Sequence, residues 1–214
     1  MALRFTFALA LAVALCGPAL AAEPAPKGPD LPPQLSPKPD WVHPPGETSR
    51  PGRDRAYNLD TLFEALKIAP DNDSARAIEQ RIWALWIASG SDTCNLLMGR
   101  VKAAIEQKDL GLAIKLLDAV IEIKPAYTEA WNRRATIYYL RKDYGRALSD
   151  IREVLSREPR HFGALSGLGL ILQEIGDEKH ALEAYRRALA IDPHLENVED
   201  AIKNLREKVE GREI

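Results

Sequence analysis

From Tyr57 onward, apolar residues recur at steps of three and four, the spacing that gives a helix one apolar face. Residues 58–68 and 74–89 read as two helices; Pro70 ends the first, and Asp73 and Gly90 sit near the start and stop of the second. In the second, Ile78, Ile82, Trp83, Leu85 and Trp86 crowd one broad face, where core packing is a plainer reading than a ligand box. A last helix, Leu195 to Glu210, carries the stripe Leu195, Val198, Ile202, Leu205 and Val209, with Glu199 and Lys203 paired on its charged side. The pattern predicts an all-α domain over 57–214.

The first 56 residues follow other rules. Arg4, an apolar run from Phe5 to Leu15 broken by Thr6, and then Gly17-Pro18 and Ala19-Leu20-Ala21 have the layout of an export signal over residues 1–22. Cleavage after Ala21 or after Ala22 fits equally. An uncleaved anchor and a lipid on Cys16 are the other readings; the run is short for a span, and Leu15 is not the small residue a lipid site needs. Residues 23–56 hold ten prolines, which remove backbone donors and oppose helix, so a disordered, extended linker is expected. Trp41-Val42-His43 inside it reads either as spacer or as a small docking motif.

A period of 34 organises the rest. Pro125, Pro159 and Pro193 keep that step, as do Ala113, Ala147 and Ala181. Counting places from Thr128 puts Trp131 at 4, Ala135 at 8, Tyr138 at 11, Ala147 at 20, Ile151 at 24, Val154 at 27 and Pro159 at 32. Counting from Phe162 gives Leu165, Gly169, Leu172, Ala181, Tyr185, Ala188 and Pro193 at those same places. Counting from Cys94 gives Leu97, Ala104, Ala113, Leu117, Val120 and Pro125, with Arg100 and Val101 departing at 7 and 8. Small residues at 8 and 20 let two antiparallel helices approach closely, while the bulky places fill the layers on either side.

This pattern resembles the tetratricopeptide repeat. The resemblance implies a right-handed α-solenoid with repeats at 94–127, 128–161 and 162–195, a degenerate repeat at 60–93 and a capping helix at 195–210. Arrays of this kind need a final helix with a polar outer face. It also implies a concave groove lined by places 2, 5, 6, 9, 12 and 13 of the first helix of each repeat. Here the groove set is Asn95, Met98, Lys102, Glu129, Asn132, Arg133, Thr136, Tyr139, Ser166, Leu170 and Gln173, with Ile105, Gly163 and Glu174 beside them. Such a surface suits a protein or peptide partner held by side-chain amides, with Tyr139 and Leu170 as apolar contacts. Family members that grip chaperone C-termini carry Lys and Asn at places 5 and 9. Met98 and Lys102, Asn132 and Thr136, and Ser166 and Leu170 do not reproduce that clamp.

Composition narrows the chemistry. A net charge of −2 with no basic, aromatic-rich face argues against nucleic acid, and after residue 22 no apolar run is long enough to span a bilayer. The histidines, His43, His161, His180 and His194, form no metal-ligand spacing, and no nucleophile elbow or phosphate loop is present. His161, His180 and His194 fall at repeat boundaries or turns, where a solvated position is expected. No catalytic residue, metal or cofactor is expected. Signal removal leaves Cys94 alone, either buried or available for an intermolecular bond. Asn72-Asp73-Ser74 matches a glycosylation triplet. The sequence thus points to a periplasmic or secreted adaptor with a partner in the cell envelope. The alternative is a scaffold that self-associates into a homo-oligomer through its irregular N-terminal repeat or a Cys94 bond.

Overall fold

The computed structural model describes residues 51–211. The export signal, Cys16, linker residues 23–50 and Trp41 lie outside the described residues. Within them the chain forms α1 (Pro51–Lys67), α2 (Asn72–Ile87), α3 (Asp92–Glu106), α4 (Leu110–Ile123), α5 (Thr128–Leu140), α6 (Tyr144–Arg157), α7 (Phe162–Glu174), α8 (Glu178–Ile191) and α9 (Glu196–Val209). Helix α1 starts inside the stretch expected to be linker. Pro51 stands at its first position, where the missing N–H has no intrahelical partner to lose.

The three expected repeats are present as the hairpins α3–α4, α5–α6 and α7–α8, and each packs against the next through α4 on α5 and α6 on α7. Their turns repeat too. Lys108, Lys142 and Gly176 hold the left-handed backbone that reverses the chain, with φ of 61°, 60° and 85°. Asp109, Asp143 and Asp177 then cap the following helices by accepting the N–H of Leu112, Arg146 and His180. Small residues sit at the crossings: Ala113, Ala147 and Ala181 are fully buried. At Gly169 a Cβ would lie 2.5 Å from the Tyr185 ring. Gly169→Ala is therefore expected to lower stability by about 1–3 kcal/mol in urea unfolding, because that buried ring must move.

An ion network ties the layers together. Arg134 on α5 donates to Asp118 on α4 at 2.6 Å and forks onto Asp150 on α6 at 2.8 Å through both Nε and Nη2. The hydrogen bonds to Asp150, and then the one to Asp118, hold the guanidinium proton more tightly than usual. Helix α9 closes the far end as expected, burying Val198, Ala201 and Leu205 against Leu182 and Tyr185 of α8.

The first hairpin departs from expectation. A fourth stacked repeat would lay α2 against α3; instead α1 packs on α8 and α2 on α5. At the start of α2, Asn72 Oδ1 lies 2.8 Å from His194 Nδ1. At its end, the Ile87 carbonyl accepts the Tyr127 hydroxyl at 2.6 Å, and Lys124 donates to the Ser89 carbonyl. Helix α2 thus runs as a strap across all three junctions where one hairpin passes to the next. Its 16 residues reach about 24 Å at the usual helical rise.

Aromatic packing holds the strap down. Trp86 stacks on His161 with ring centroids 4.0 Å apart, and Trp83 stands edge-on to Phe162 at 5.6 Å. Leu59, Phe63, Leu66, Ala75 and Ile82 complete this cluster, with Ile191 and Leu195 at its border. Outside it, Arg160 lies over the Phe63 ring and pairs with Asp60 at 2.6 Å. His161 is completely buried, where a boundary position was expected to be solvated; its Nδ1 caps α7 by accepting the Ala164 N–H at 3.1 Å.

Asp192 lies buried at the third junction, with Oδ1 accepting the His194 N–H and Oδ2 without a partner. Burial raises its pKa despite the opposing influence of His194. A raised folded-state pKa means the folded chain gains stability as pH falls through that value and loses it as pH rises. Asp192→Asn is therefore expected to raise the melting temperature at pH 7, with the gain shrinking as the wild type becomes protonated in acid. Thermal melts of both proteins across pH check this.

Candidate functional site: the concave groove

The first helices of the three repeats, α3, α5 and α7, carry the predicted groove set. The structure divides that set in two. Asn95, Lys102 and Gln173 are exposed, and Asn132, Arg133, Thr136, Tyr139, Ser166 and Leu170 are half-buried. Met98 and Glu129 are buried, which corrects their assignment as contact residues. Met98 belongs to the central core with Cys94 and Val101. Cys94 is fully buried as well, so the intermolecular-bond reading loses its accessible thiol.

Glu129 is buried because the strap closes the groove edge at place 2. At the same place in the next repeat, a Cβ on Gly163 would meet the Trp83 ring at 2.9 Å, so only glycine lets that ring rest there. Glu129, 3% exposed, is satisfied internally. Arg133 Nε donates to it at 2.8 Å and Asn132 Nδ2 at 3.0 Å, while His161 Nε2 stands 3.9 Å away. Burial pushes the carboxyl up, but His161, Arg133 and Asn132 together hold it below its ordinary value. A depressed folded-state pKa gives stability that is present above the unfolded carboxylate value and lost as pH falls through the folded one. Glu129→Gln is expected to lower stability by about 2 kcal/mol at pH 7, from loss of charged hydrogen bonds, and to flatten the acid limb of the pH profile.

What stays open is a trough between the strap edge and the hairpin turns. Two of its polar side chains are turned onto their own backbone: the Thr136 hydroxyl donates to the Asn132 carbonyl and the Ser166 hydroxyl to the Phe162 carbonyl. At the turn end, Tyr139 and Tyr144 lie with ring centroids 6.0 Å apart, and Tyr144 reaches Glu174 at 3.5 Å. Burial, and then the Glu174 charge, raise the Tyr139 pKa, so it remains a neutral donor. Gln173 Oε1 accepts the Tyr185 hydroxyl at 3.3 Å, leaving its amide nitrogen for another acceptor. Leu170 joins none of the apolar clusters. Lys102, half exposed and paired only loosely with Glu106 one turn on at 3.9 Å, thus joins Leu170 and the Gln173 amide nitrogen in presenting a cation, an apolar contact and a donor to the trough.

A cleft of about 140 Å³ beneath the strap, lined by Leu59, Trp86, Lys124 and Tyr127, is smaller than ordinary ligand pockets. Among the described residues no group of three or more His, Cys, Asp or Glu is placed to hold a metal ion. No helix among them is long and apolar enough to cross a membrane.

A hairpin array with a lined trough defines a binding scaffold, and comparison with known proteins agrees with that class. A tetratricopeptide-repeat family model matches residues 98–153 and 142–196. A TPR repeat-containing protein of Rhizobium etli is 44% identical over 153 residues, covering 72% of this chain and 75% of that one. The chain belongs to the tetratricopeptide-repeat family. A small glutamine-rich tetratricopeptide repeat-containing protein of Saccharomyces cerevisiae is 31% identical over 100 residues, 28% of its own length. Among solved structures, the first TPR of Spaghetti (RPAP3) bound to an HSP90 peptide superposes with a TM-score of 0.54 at 18% identity, covering 56% of this chain and 95% of that one. The TPR2B domain of yeast Sti1 in complex with an Hsp70 peptide gives 0.51 at 15%, covering 55% and 99%. These likenesses are of fold. Domains of this family generally mediate binding of proteins or peptides.

Proposed function

We propose that this protein is a non-enzymatic adaptor, exported to the periplasm or secreted, that holds an extended segment of a partner protein in its concave trough during cell-envelope assembly or maintenance. The observation that carries the reading is the trough itself: Leu170 joins no apolar cluster, Gln173 keeps its amide nitrogen, and Lys102 is tied only to Glu106 through an exposed pair at 3.9 Å. An extended segment laid there finds amides for its backbone, Tyr139 and Leu170 for one apolar side chain, and Lys102 for an acidic one. The export signal expected over residues 1–22 supports the location. Solved relatives of this fold hold HSP90 and Hsp70 peptides. The altered residues at places 5 and 9 point here to a partner other than such a C-terminus.

Affinity capture from envelope extract with the full chain, compared with a Lys102→Glu, Leu170→Asp double variant, tests the site. The partner recovered by the wild type is expected to fall at least about tenfold with the variant, as for loss of a central contact, while the melting temperature holds. Equal recovery by both proteins overturns the trough assignment. Mass spectrometry of the protein from its native host tests export: loss of 21 or 22 residues is expected, and an intact N-terminus in the cytoplasm contradicts it.

A further inference from the structure

Diverting α1–α2 to the junctions leaves the first repeat without the neighbour that covers the other two. The repeat register makes this visible. Place 3 is Ala130 in the second repeat and Ala164 in the third, both buried where a preceding hairpin packs; in the first it is Leu96, 68% exposed. Place 10 is Ile137 and Ile171, both buried, but Ala103 in the first repeat is exposed. Helix α4 is apolar where its counterpart α6 is charged: Leu112, Leu116 and Ile123 stand where α6 has Arg146, Asp150 and Arg157. Leu112 and Ile123 are exposed. In the second repeat, Asp150 meets Arg134, which also grips Asp118 of the preceding repeat, so this place borders the side from which a neighbour arrives.

Charge says what kind of neighbour fits. Along α3, Asp92, Leu96 and Arg100 follow one another at steps of four on one stripe, all exposed. Neither Asp92 nor Arg100 has an ion-pair partner among the described residues, whereas Arg134, at the place equivalent to Arg100, has two. An acid, a leucine and a base in that order are self-complementary when two copies of the helix pack antiparallel. With a two-fold axis beside Leu96, each Asp92 faces the Arg100 of the other copy, and Leu96 meets Leu96. The same axis brings the two α4 helices together on one side of the contact. Closed two-fold contacts of this sort are the commonest form of self-association.

We infer that a second copy of this chain covers the open face of α3–α4, giving a two-fold dimer with both troughs still accessible. The inference does not depend on the adaptor reading, because the face lies at the end of the array and not in the trough. Sedimentation equilibrium of the full chain, with and without substitutions, tests it. A dimer is expected, with Leu96→Glu weakening it at least about a hundredfold by burying a charge in the apolar centre. Asp92→Arg and Arg100→Asp singly are each expected to weaken it about tenfold, and the double reversal to restore it to within about threefold. A wild-type monomer at all concentrations overturns the inference, whether the face is then covered by residues 1–50 or by another protein. So does a dimer indifferent to Leu96→Glu, or a double reversal no better than the single ones. Unchanged circular dichroism and melting temperature in the charge variants, whose side chains are exposed, exclude misfolding as the cause of dissociation.

Discussion

Trp86→Ala is expected to lower stability by about 3–5 kcal/mol in urea unfolding, the range for removing a buried tryptophan. The site explains the size. Trp86 is 3% exposed, stacks on the buried ring of His161 and touches Phe63, Trp83 and Phe162. Little can collapse into the space it leaves, because the His161 ring is pinned by its cap bond to Ala164. The variant is also expected to loosen the strap as a unit. Amide hydrogen exchange should then rise along α2 and at the three junctions, while α4 and α6 keep most of their protection. Trp86→Phe retains an aromatic face and is expected to lose less than half as much.

Arg134→Ala is the second large effect, about 3–5 kcal/mol, because it strands Asp150 as a buried charge with no cation opposite. Asp150 is 3% exposed, while Asp118 at the outer end of the network is half open to water. Asp118→Ala is accordingly expected to lose only about 0–1 kcal/mol, as for an exposed pair. Arg134→Ala combined with Asp150→Ala is expected to recover much of the loss, since no isolated charge then remains. Urea titrations of the two single variants and the double one give the coupling directly. A loss in Arg134→Ala no larger than in Asp118→Ala contradicts the assignment.

The array itself was legible in the sequence because its constraint is local and periodic. A small residue must occur wherever two helices cross closely, so Ala113, Ala147 and Ala181, with Gly169 opposite Tyr185, mark the crossings at a fixed step. The strap was not legible in the same way. An amphipathic helical hairpin has the same three- and four-residue rhythm whether it stacks on an array or lies across it. Departures in residues 60–93 were nonetheless visible: Lys67 and Glu79 stand at places 8 and 20, and Ser91 stands where the other repeats have proline. A hairpin without small residues at its crossing cannot nest as its neighbours do. Two matching signals lie elsewhere in the chain, in His161 and Gly163, whose roles make sense only with the Trp86 and Trp83 rings above them.

The groove set was legible only to the level of the helix face. Place 2 points into the trough in a bare array, but here the strap covers it, which turns Glu129 from a contact into a buried anchor for Arg133 and Asn132. That fate depends on an element far away in sequence. Of the residues nearer the turns, Lys102 and Gln173 are exposed and Leu170 is half-buried.

Helix α2 crosses the hairpin junctions instead of extending the array. Spin labels on the exposed residues Arg76 and Asn197, one at the start of α2 and the other in the first turn of α9, read this directly by pulsed electron resonance. Asn72 lies against His194, so a single short distance of about 20 Å or less is expected, on the scale of two packed helix layers. A distance near 40 Å, as for a hairpin stacked at the opposite end of the array with layers of about 10 Å between, contradicts the account.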